Sequence, residues 1–285
     1  MSEVAVVVAC QRDGAGGSPT AVLDDAPFTD EERCRIPATL GTSHAVFLRP
    51  TGNERRRPAY KLRFFTAQGE LPACGHGTVA ALAVLAEREG GDHDYYAALR
   101  TSQRNFDGRA CRNGDGVTAS FDAGPVSLRN TGGPELRSVI GGLGLSEDAV
   151  AGDACVASIG RPRLLLPIRS RAALDELIPD LTLLRAACDG YGLLGCYAYS
   201  PPDRHGRAAA RMFAPSIGVP EDIANANSTA CLAAHAAGFG IHRLAVDMGD
   251  HLGSPSTITA TAHRDRTGHR IRVGGQATIV RTVMR

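Results

Sequence analysis

The chain has one lysine, no tryptophan, and 31 basic against 30 acidic residues in 285, for a formal charge of +1. Each scarcity removes a class of function. With Lys61 as the sole amine, inside the alternating stretch Tyr60-Lys61-Leu62-Arg63-Phe64 that reads as a strand, Schiff-base and pyridoxal chemistry have almost nothing to act through. A balanced charge gives no field to steer polyanions, so no nucleic-acid partner is expected. No run of about 18 uncharged apolar residues exists to span a bilayer, so no membrane partner is expected either. The start carries Glu3 where a signal peptide needs positive charge, and the following run Val4-Ala5-Val6-Val7-Val8-Ala9 reads as a strand; a cytoplasmic location is expected. The cysteines at 10, 34, 74, 111, 155, 188, 196 and 231 form no CxxC pair and no Cys/His zinc spacing, so reduced scattered thiols, no metal and no cofactor are the expectation.

What is present falls into two similar halves. Short strand-like runs at Val4 to Ala9, Pro19 to Leu23, Ala45 to Arg49 and Ala59 to Thr66 precede a stretch beginning at Gly75 that is apolar on every face and ends at Gly90-Gly91. A helix of that kind must be enclosed by protein. Strand-like runs follow at Tyr95 to Thr101 and Val117 to Phe121, and Thr131 to Gly152 is glycine-rich. The second half repeats the plan: strand-like Arg163 to Ile168, an amphipathic helical stretch from Ala172 to Cys188, and strands near Leu193 to Tyr199 and Ala208 to Phe213. A second apolar helix, Thr229 to Ala237, comes next, and strands at Thr257 to Ala262 and Ile271 to Val280 finish the chain. The expected fold is α+β, with two pseudo-symmetric domains that each wrap strands around one apolar helix. Their expected extents are 1–124, completed by a returning strand at 273–285, and 125–272, with the active-site cleft between them.

Both helices open on small and polar residues: Cys74-Gly75-His76-Gly77-Thr78 in the first half and Asn225-Ala226-Asn227-Ser228-Thr229 in the second. Helix N-termini present unpaired N–H groups and positive dipole, which suit a carboxylate, and Gly75 and Gly77 permit close backbone approach. The competing reading is plain N-capping by Thr78, Asn227 or Ser228.

Four segments in order carry a resemblance. Gly17-Ser18-Pro19-Thr20-Ala21-Val22 is similar to a GNPxAV turn. Arg63-Phe64-Phe65-Thr66 with Glu70-Leu71-Pro72-Ala73-Cys74-Gly75-His76 is similar to R-I-F-T-P…E-L-P-F-A-G-H. Arg211-Met212-Phe213-Ala214-Pro215 with Gly218-Val219-Pro220-Glu221-Asp222 is similar to R-M-F-x-P…G-x-x-E-D, and Val273 to Ala277 matches a C-terminal strand. Together they resemble the PhzF-like family of phenazine biosynthesis, within the diaminopimelate epimerase-like fold group. The resemblance implies a cofactor-independent isomerase, usually a homodimer, moving a proton in a small carboxylic acid. It implies that His76 binds substrate and assists proton transfer, that Asp222 supports that chemistry, and that Asn227, with Ser228 beside it, stands where the family binds the substrate carboxylate.

The carboxylate-binding turn, T-G-S in the family, is here Asn225-Ala226-Asn227, and the largest departure from the pattern concerns the base. The family carries a glutamate base in an S-E-[ST] segment; here Thr42-Ser43-His44 puts Ser43 in its place. A serine hydroxyl is no base near neutral pH without help, which leaves three substitutes. Cys74, at a helix N-terminus beside His76, sits where a thiolate is favoured, or it is merely a small buried residue. His44, with imidazole chemistry near pH 6.5, suits acid–base work, or it is an ordinary strand residue. Asp222 is a carboxylate that burial could make basic. The expected function is a proton and double-bond shift in a small unsaturated or cyclic carboxylic acid of a specialised, antibiotic-type pathway. The alternatives are a cysteine-based amino-acid epimerase or racemase, for which a second thiol opposite Cys74 is lacking because Cys231 lies a turn into its helix, and a non-catalytic binder of small acids.

Overall fold

The computed structural model describes residues 3–54, 56–91, 93–114, 116–265 and 268–284. They divide into two compact units, one formed by Met1–Asp122 with Arg272–Arg285 and the other by Ala123–Ile271. Met1, Ser2 and Arg285 lie outside the described residues.

The first unit contains strands β1 (Glu3–Gln11), β2 (Ser18–Asp24), β3 (His44–Glu54), β4 (Arg57–Thr66), β5 (Gly69–Leu71), β6 (Tyr95–Arg100), β7 (Asn105–Asn113) and β8 (Gly116–Asp122), with helices α1 (Asp30–Leu40) and α2 (Gly75–Glu89). The chain's last strand, Gly268–Met284, lies in this unit from Arg272 onward. Pairing closes on itself. β1 pairs with β2, β2 with β3 and β3 with β4. β4 then pairs with β6, β6 with β7 and β7 with β8. The last strand lies between β8 and β1, which completes an eight-stranded ring. Helix α2 fills the interior, touching β1, β2, β3, β6, β7 and β8, and every residue from His76 to Ala86 is buried. Ring closure leaves this sheet no free edge, and the all-apolar sequence of α2 is what such an interior requires.

The second unit contains β9 (Ser127–Asn130), α3 (Gly133–Gly142), β10 (Cys155–Ile159), β11 (Arg161–Pro167), α4 (Arg171–Asp175), α5 (Leu181–Gly190), β12 (Cys196–Tyr199), β13 (Arg207–Ala214), β14 (Val219–Asp222), α6 (Ala226–Ala237), β15 (Arg243–Met248) and β16 (Ser256–Asp265). Its main ladder runs β9-β10-β11-β12-β13-β15-β16. Helix α6 packs on β10, β11, β15 and β16, with Thr229 to Ala234 buried. α3, α4 and α5 cover a separate core of Val139, Leu164, Leu166, Leu184 and Phe213.

Several local expectations change. The single helical stretch expected from Ala172 to Cys188 is two helices, interrupted around Pro179, whose ring cannot sit inside a continuous helix. The glycine-rich segment 131–152 contains α3, opened by Pro134 in its first turn and by a Glu135 side chain that accepts from the Gly132 amide. Neither central helix is capped as expected from Thr78, Asn227 or Ser228. Cys74 caps α2, its Sγ accepting from the Gly77 amide at 3.4 Å, and Asn225 caps α6, its Oδ1 accepting from the Ser228 amide at 2.9 Å. Among the described residues no helix is long and apolar enough to cross a membrane.

Candidate active site

In the first unit, the end of one loop and the start of one helix bring four heteroatoms into a row. β3 begins at His44, held beside β2 by parallel pairing of Thr20 with His44. Ser43, just before it, donates its amide (2.9 Å) and its hydroxyl (2.8 Å) to the Pro19 carbonyl, and its Oγ lies 2.9 Å from the Ser18 hydroxyl. From there the row continues: Ser43 Oγ to His44 Nδ1 at 3.0 Å, His44 Nδ1 to His76 Nε2 at 2.9 Å, and His76 Nε2 to Cys74 Sγ at 3.3 Å. Cys74 and His76 are buried, at 6% and 4% exposure, and His44 is half-buried. Two of the three candidate bases, Cys74 and His44, are thus joined through His76 in one chain of contacts, while Asp222 lies in the second unit.

Hydrogen-bond accounting places the protons. Ser43 spends its own on Pro19 and accepts from Ser18, so it faces His44 with a lone pair, which assigns the N–H to His44 Nδ1. That proton also faces His76 Nε2, whose lone pair in turn lies beside the Cys74 thiol. The Cys74 sulfur thus lies within reach of an imidazole nitrogen for proton transfer, at a helix N-terminus and with the Gly77 amide donating to it. Gly77 makes the approach possible, since a Cβ there would come within 3.0 Å of Cys74 Sγ and 3.1 Å of Phe64 and Val46. The Thr78 hydroxyl donates to the Cys74 carbonyl at 2.8 Å and so serves the helix start.

Burial, followed by the charge of His76, pushes the His44 imidazole down from 6.5 to about 2. His44 therefore stays neutral across the physiological range and resists taking up a further proton. The folded state is protonated at His44 far less readily than the unfolded chain, so its stability is complete above pH 6.5 and falls as the pH drops below that value. The loss reaches up to about 1.4 kcal/mol for each pH unit. Urea denaturation at a series of pH values from neutral to mildly acidic should show a shallower acid decline for His44→Gln than for the native chain; parallel declines would remove this role from His44.

The second unit presents its counterpart at the start of α6. Asp222 ends β14, and its carboxylate accepts from the Ala224 amide at 3.3 Å and from the Asn225 side chain at 2.9 Å. Ser228 is fully buried with its hydroxyl on Met212 Sδ at 3.4 Å, while Asn227 is half-buried on the first turn of α6. Cys231 lies inside the helix at 0% exposure, and burial pushes its thiol up. It is a packing residue, and no thiol occupies the cap of α6 as Cys74 does that of α2.

A paired device precedes both helices and went unread in the sequence, although the R…E spacing of each motif carries it. Arg63 makes a two-pronged bond to Glu70 (2.8 and 2.6 Å) across β4 and β5, and Arg211 makes the same bond to Glu221 (3.0 and 2.8 Å) across β13 and β14. Each fixes the hairpin that delivers the chain to the helix cap.

Residues 9–283 match the family of phenazine biosynthesis-like proteins. The trans-2,3-dihydro-3-hydroxyanthranilate isomerase of Pseudomonas aeruginosa is 29% identical over 275 residues, covering 92% of this chain and 91% of that protein. Among solved structures, one named a predicted epimerase, also from Pseudomonas aeruginosa, superposes with a TM-score of 0.83 at 26% identity, over 100% of this chain and 99% of the other. A hydroxyproline epimerase from Agrobacterium vitis, 13% identical, gives a TM-score of 0.64 over 99% and 90% of the two chains, a likeness of fold alone. The architecture is accordingly the α+β, diaminopimelate epimerase-like one, with a strand layer around a central apolar helix in each unit.

Proposed function

The chain belongs to the phenazine biosynthesis-like protein family and is an isomerase, and from that premise we propose that it shifts a proton and a double bond in a small unsaturated or cyclic carboxylic acid, with Cys74 as the base. The observation that supports this reading is the Cys74–His76–His44 row, which ends beside Ser43, the residue at the position of the family's glutamate. Cys74 Sγ passes its proton to His76 Nε2 at 3.3 Å and takes the substrate proton as thiolate, and His44, whose Nδ1–H is held by Ser43 Oγ, positions His76 by edge-on ring packing with centroids 4.3 Å apart. The backbone amides at the first turn of α2 supply the attraction for a substrate carboxylate. Asp222 is the acid–base candidate of the second unit. The description of the matched family, phenazine biosynthesis-like, supports a place in specialised biosynthesis, and the name of the Pseudomonas aeruginosa relative supports an unsaturated cyclic carboxylic acid as substrate class.

The test is incubation with trans-2,3-dihydro-3-hydroxyanthranilate and with cyclic imino acids in deuterated buffer, followed by NMR. Deuterium entering together with double-bond migration supports the proposal. A second reading, epimerisation at a chiral α-carbon, is favoured by the capping thiol of α2 and opposed by Asn225 in the corresponding position of α6; deuterium at the α-carbon with no double-bond shift would select it. An acid that raises the melting temperature without incorporating deuterium would mark a binder.

A further inference from the structure

We propose that His44 Nδ1, His76 Nε2 and Cys74 Sγ form a three-ligand site for a zinc ion. These donors all lie within 4.8 Å of one another, with 2.9 Å between the two nitrogens and 3.3 Å between His76 Nε2 and the sulfur. Zinc bound tetrahedrally at ordinary Zn–N and Zn–S lengths holds its ligand atoms roughly 3.3 Å (N to N) and roughly 3.6 Å (N to S) apart. On binding, the 2.9 and 3.3 Å separations open by a few tenths of an ångström, and His44 Nδ1 and Cys74 Sγ, which lie within 4.8 Å of each other, settle at roughly 3.6 Å. Two imidazoles and a thiolate are also the donor set that zinc and cobalt prefer and that magnesium or calcium, which require oxygen, do not.

The surroundings suit an ion in this position. The three donor atoms come from two separate elements, the start of β3 and the start of α2, and lie within 4.8 Å of one another. The Gly77 N–H on Cys74 Sγ is the kind of outer contact that steadies a metal-bound thiolate. On binding, the Cys74 proton leaves to solvent and the His44 proton moves from Nδ1 to Nε2, so both imidazoles remain neutral ligands. Three protein ligands leave a fourth position for water or for a carboxylate oxygen. The pattern escapes sequence inspection because Cys74 and His76 are two residues apart and His44 comes from a strand thirty residues earlier, outside any recognised spacing.

A functional consequence rests on the proposed proton transfer: an ion on Cys74 commits the lone pair that would take the substrate proton, so zinc inhibits and chelation restores turnover.

The binding test uses the whole chain stripped with a chelator and then titrated with Co²⁺. The native protein is expected to take up one equivalent and develop a thiolate-to-cobalt charge-transfer band in the near ultraviolet, which added Zn²⁺ abolishes by displacement. Cys74→Ser should lose the band, and His44→Gln should weaken Co²⁺ binding by about tenfold or more. Circular dichroism confirms that both variants are folded, and a third variant, Cys111→Ser, controls for thiols elsewhere and should behave as the native chain. A band that survives Cys74→Ser, or the absence of stoichiometric uptake by the native chain, overturns the site. Tight Zn²⁺ binding that leaves deuterium exchange undiminished upholds the site and instead removes Cys74 as the base, so the two proposals fail separately.

Discussion

Replacing Cys74 by alanine is expected to slow solvent-deuterium incorporation by about 10²- to 10⁴-fold, the usual contribution of a positioned acid or base. His76→Ala should fall in the same range, because Nε2 is the atom beside the sulfur at 3.3 Å. The Cys74→Ala/His76→Ala pair should then be little worse than either single change, since two groups acting as one unit are removed only once. His44→Gln is expected to cost less. An imidazole pushed down to about 2 gives up a proton too readily to hold one taken from carbon, and its contribution is orientation through the 2.9 Å contact to His76. Single-turnover exchange followed by mass spectrometry orders the three variants. Exchange at the native rate in Cys74→Ala, or a larger loss in His44→Gln than in Cys74→Ala, would transfer the base to another residue.

Glu221→Ala should lower the stability of the chain by about 3–5 kcal/mol, because it strands a buried guanidinium. The Arg211 and Glu221 side chains are only 5% and 8% exposed, and Arg211 Nη1 also donates to the Leu174 and Leu177 carbonyls at 3.1 and 2.8 Å. Removing the carboxylate leaves a fixed charge that cannot turn to water. The counterpart in the first unit gives the contrast. Arg63 and Glu70 are 23% and 36% exposed, so solvent replaces the lost partner and Glu70→Ala should cost about 0.2–1 kcal/mol. Denaturant midpoints with their slopes measure both, and a double change of Arg211 and Glu221 to leucine and methionine should recover much of the first loss. Equal costs at the two sites would mean that burial is not what separates them.

The two apolar helices and many of the strands, with their order, could be read from alternation, which burial of one face leaves, and from unbroken apolar runs, which burial on every face leaves. α1 could not. Its sequence, Asp30-Glu31-Glu32-Arg33-Cys34-Arg35-Ile36-Pro37, has a proline inside and buries only Arg33, Ile36 and Pro37, so no apolar stripe marks it. Its start was nevertheless encoded as a capping box, in which Thr29 and Glu32 bond each other's backbone amides. β15 was missed for a different reason: Arg243-Leu244-Ala245-Val246-Asp247 alternates weakly, and its place comes from parallel pairing with β13. At the site, residue types and positions were legible while their connection was not. Cys74, His76 and His44 stood as separate candidates in the sequence, and only the pairing of β2 with β3 and the closed ring around α2 brings the two imidazoles to 2.9 Å.

The ring has an implication for how the chain is made. Its eighth member is the last strand, which inserts between β1 and β8 and pairs Val4 with Val283 and Phe121 with Val273. During synthesis from the N-terminus, everything else in the first unit emerges before the strand that seals it. Until then β1 and β8 each present an edge that the last strand will pair. The second unit, all of whose main ladder precedes that strand, can close first. The strands of the first unit therefore wait for a partner that is made only after the second unit, and the nascent first unit depends on that returning strand, or on a chaperone, to escape edge-to-edge association.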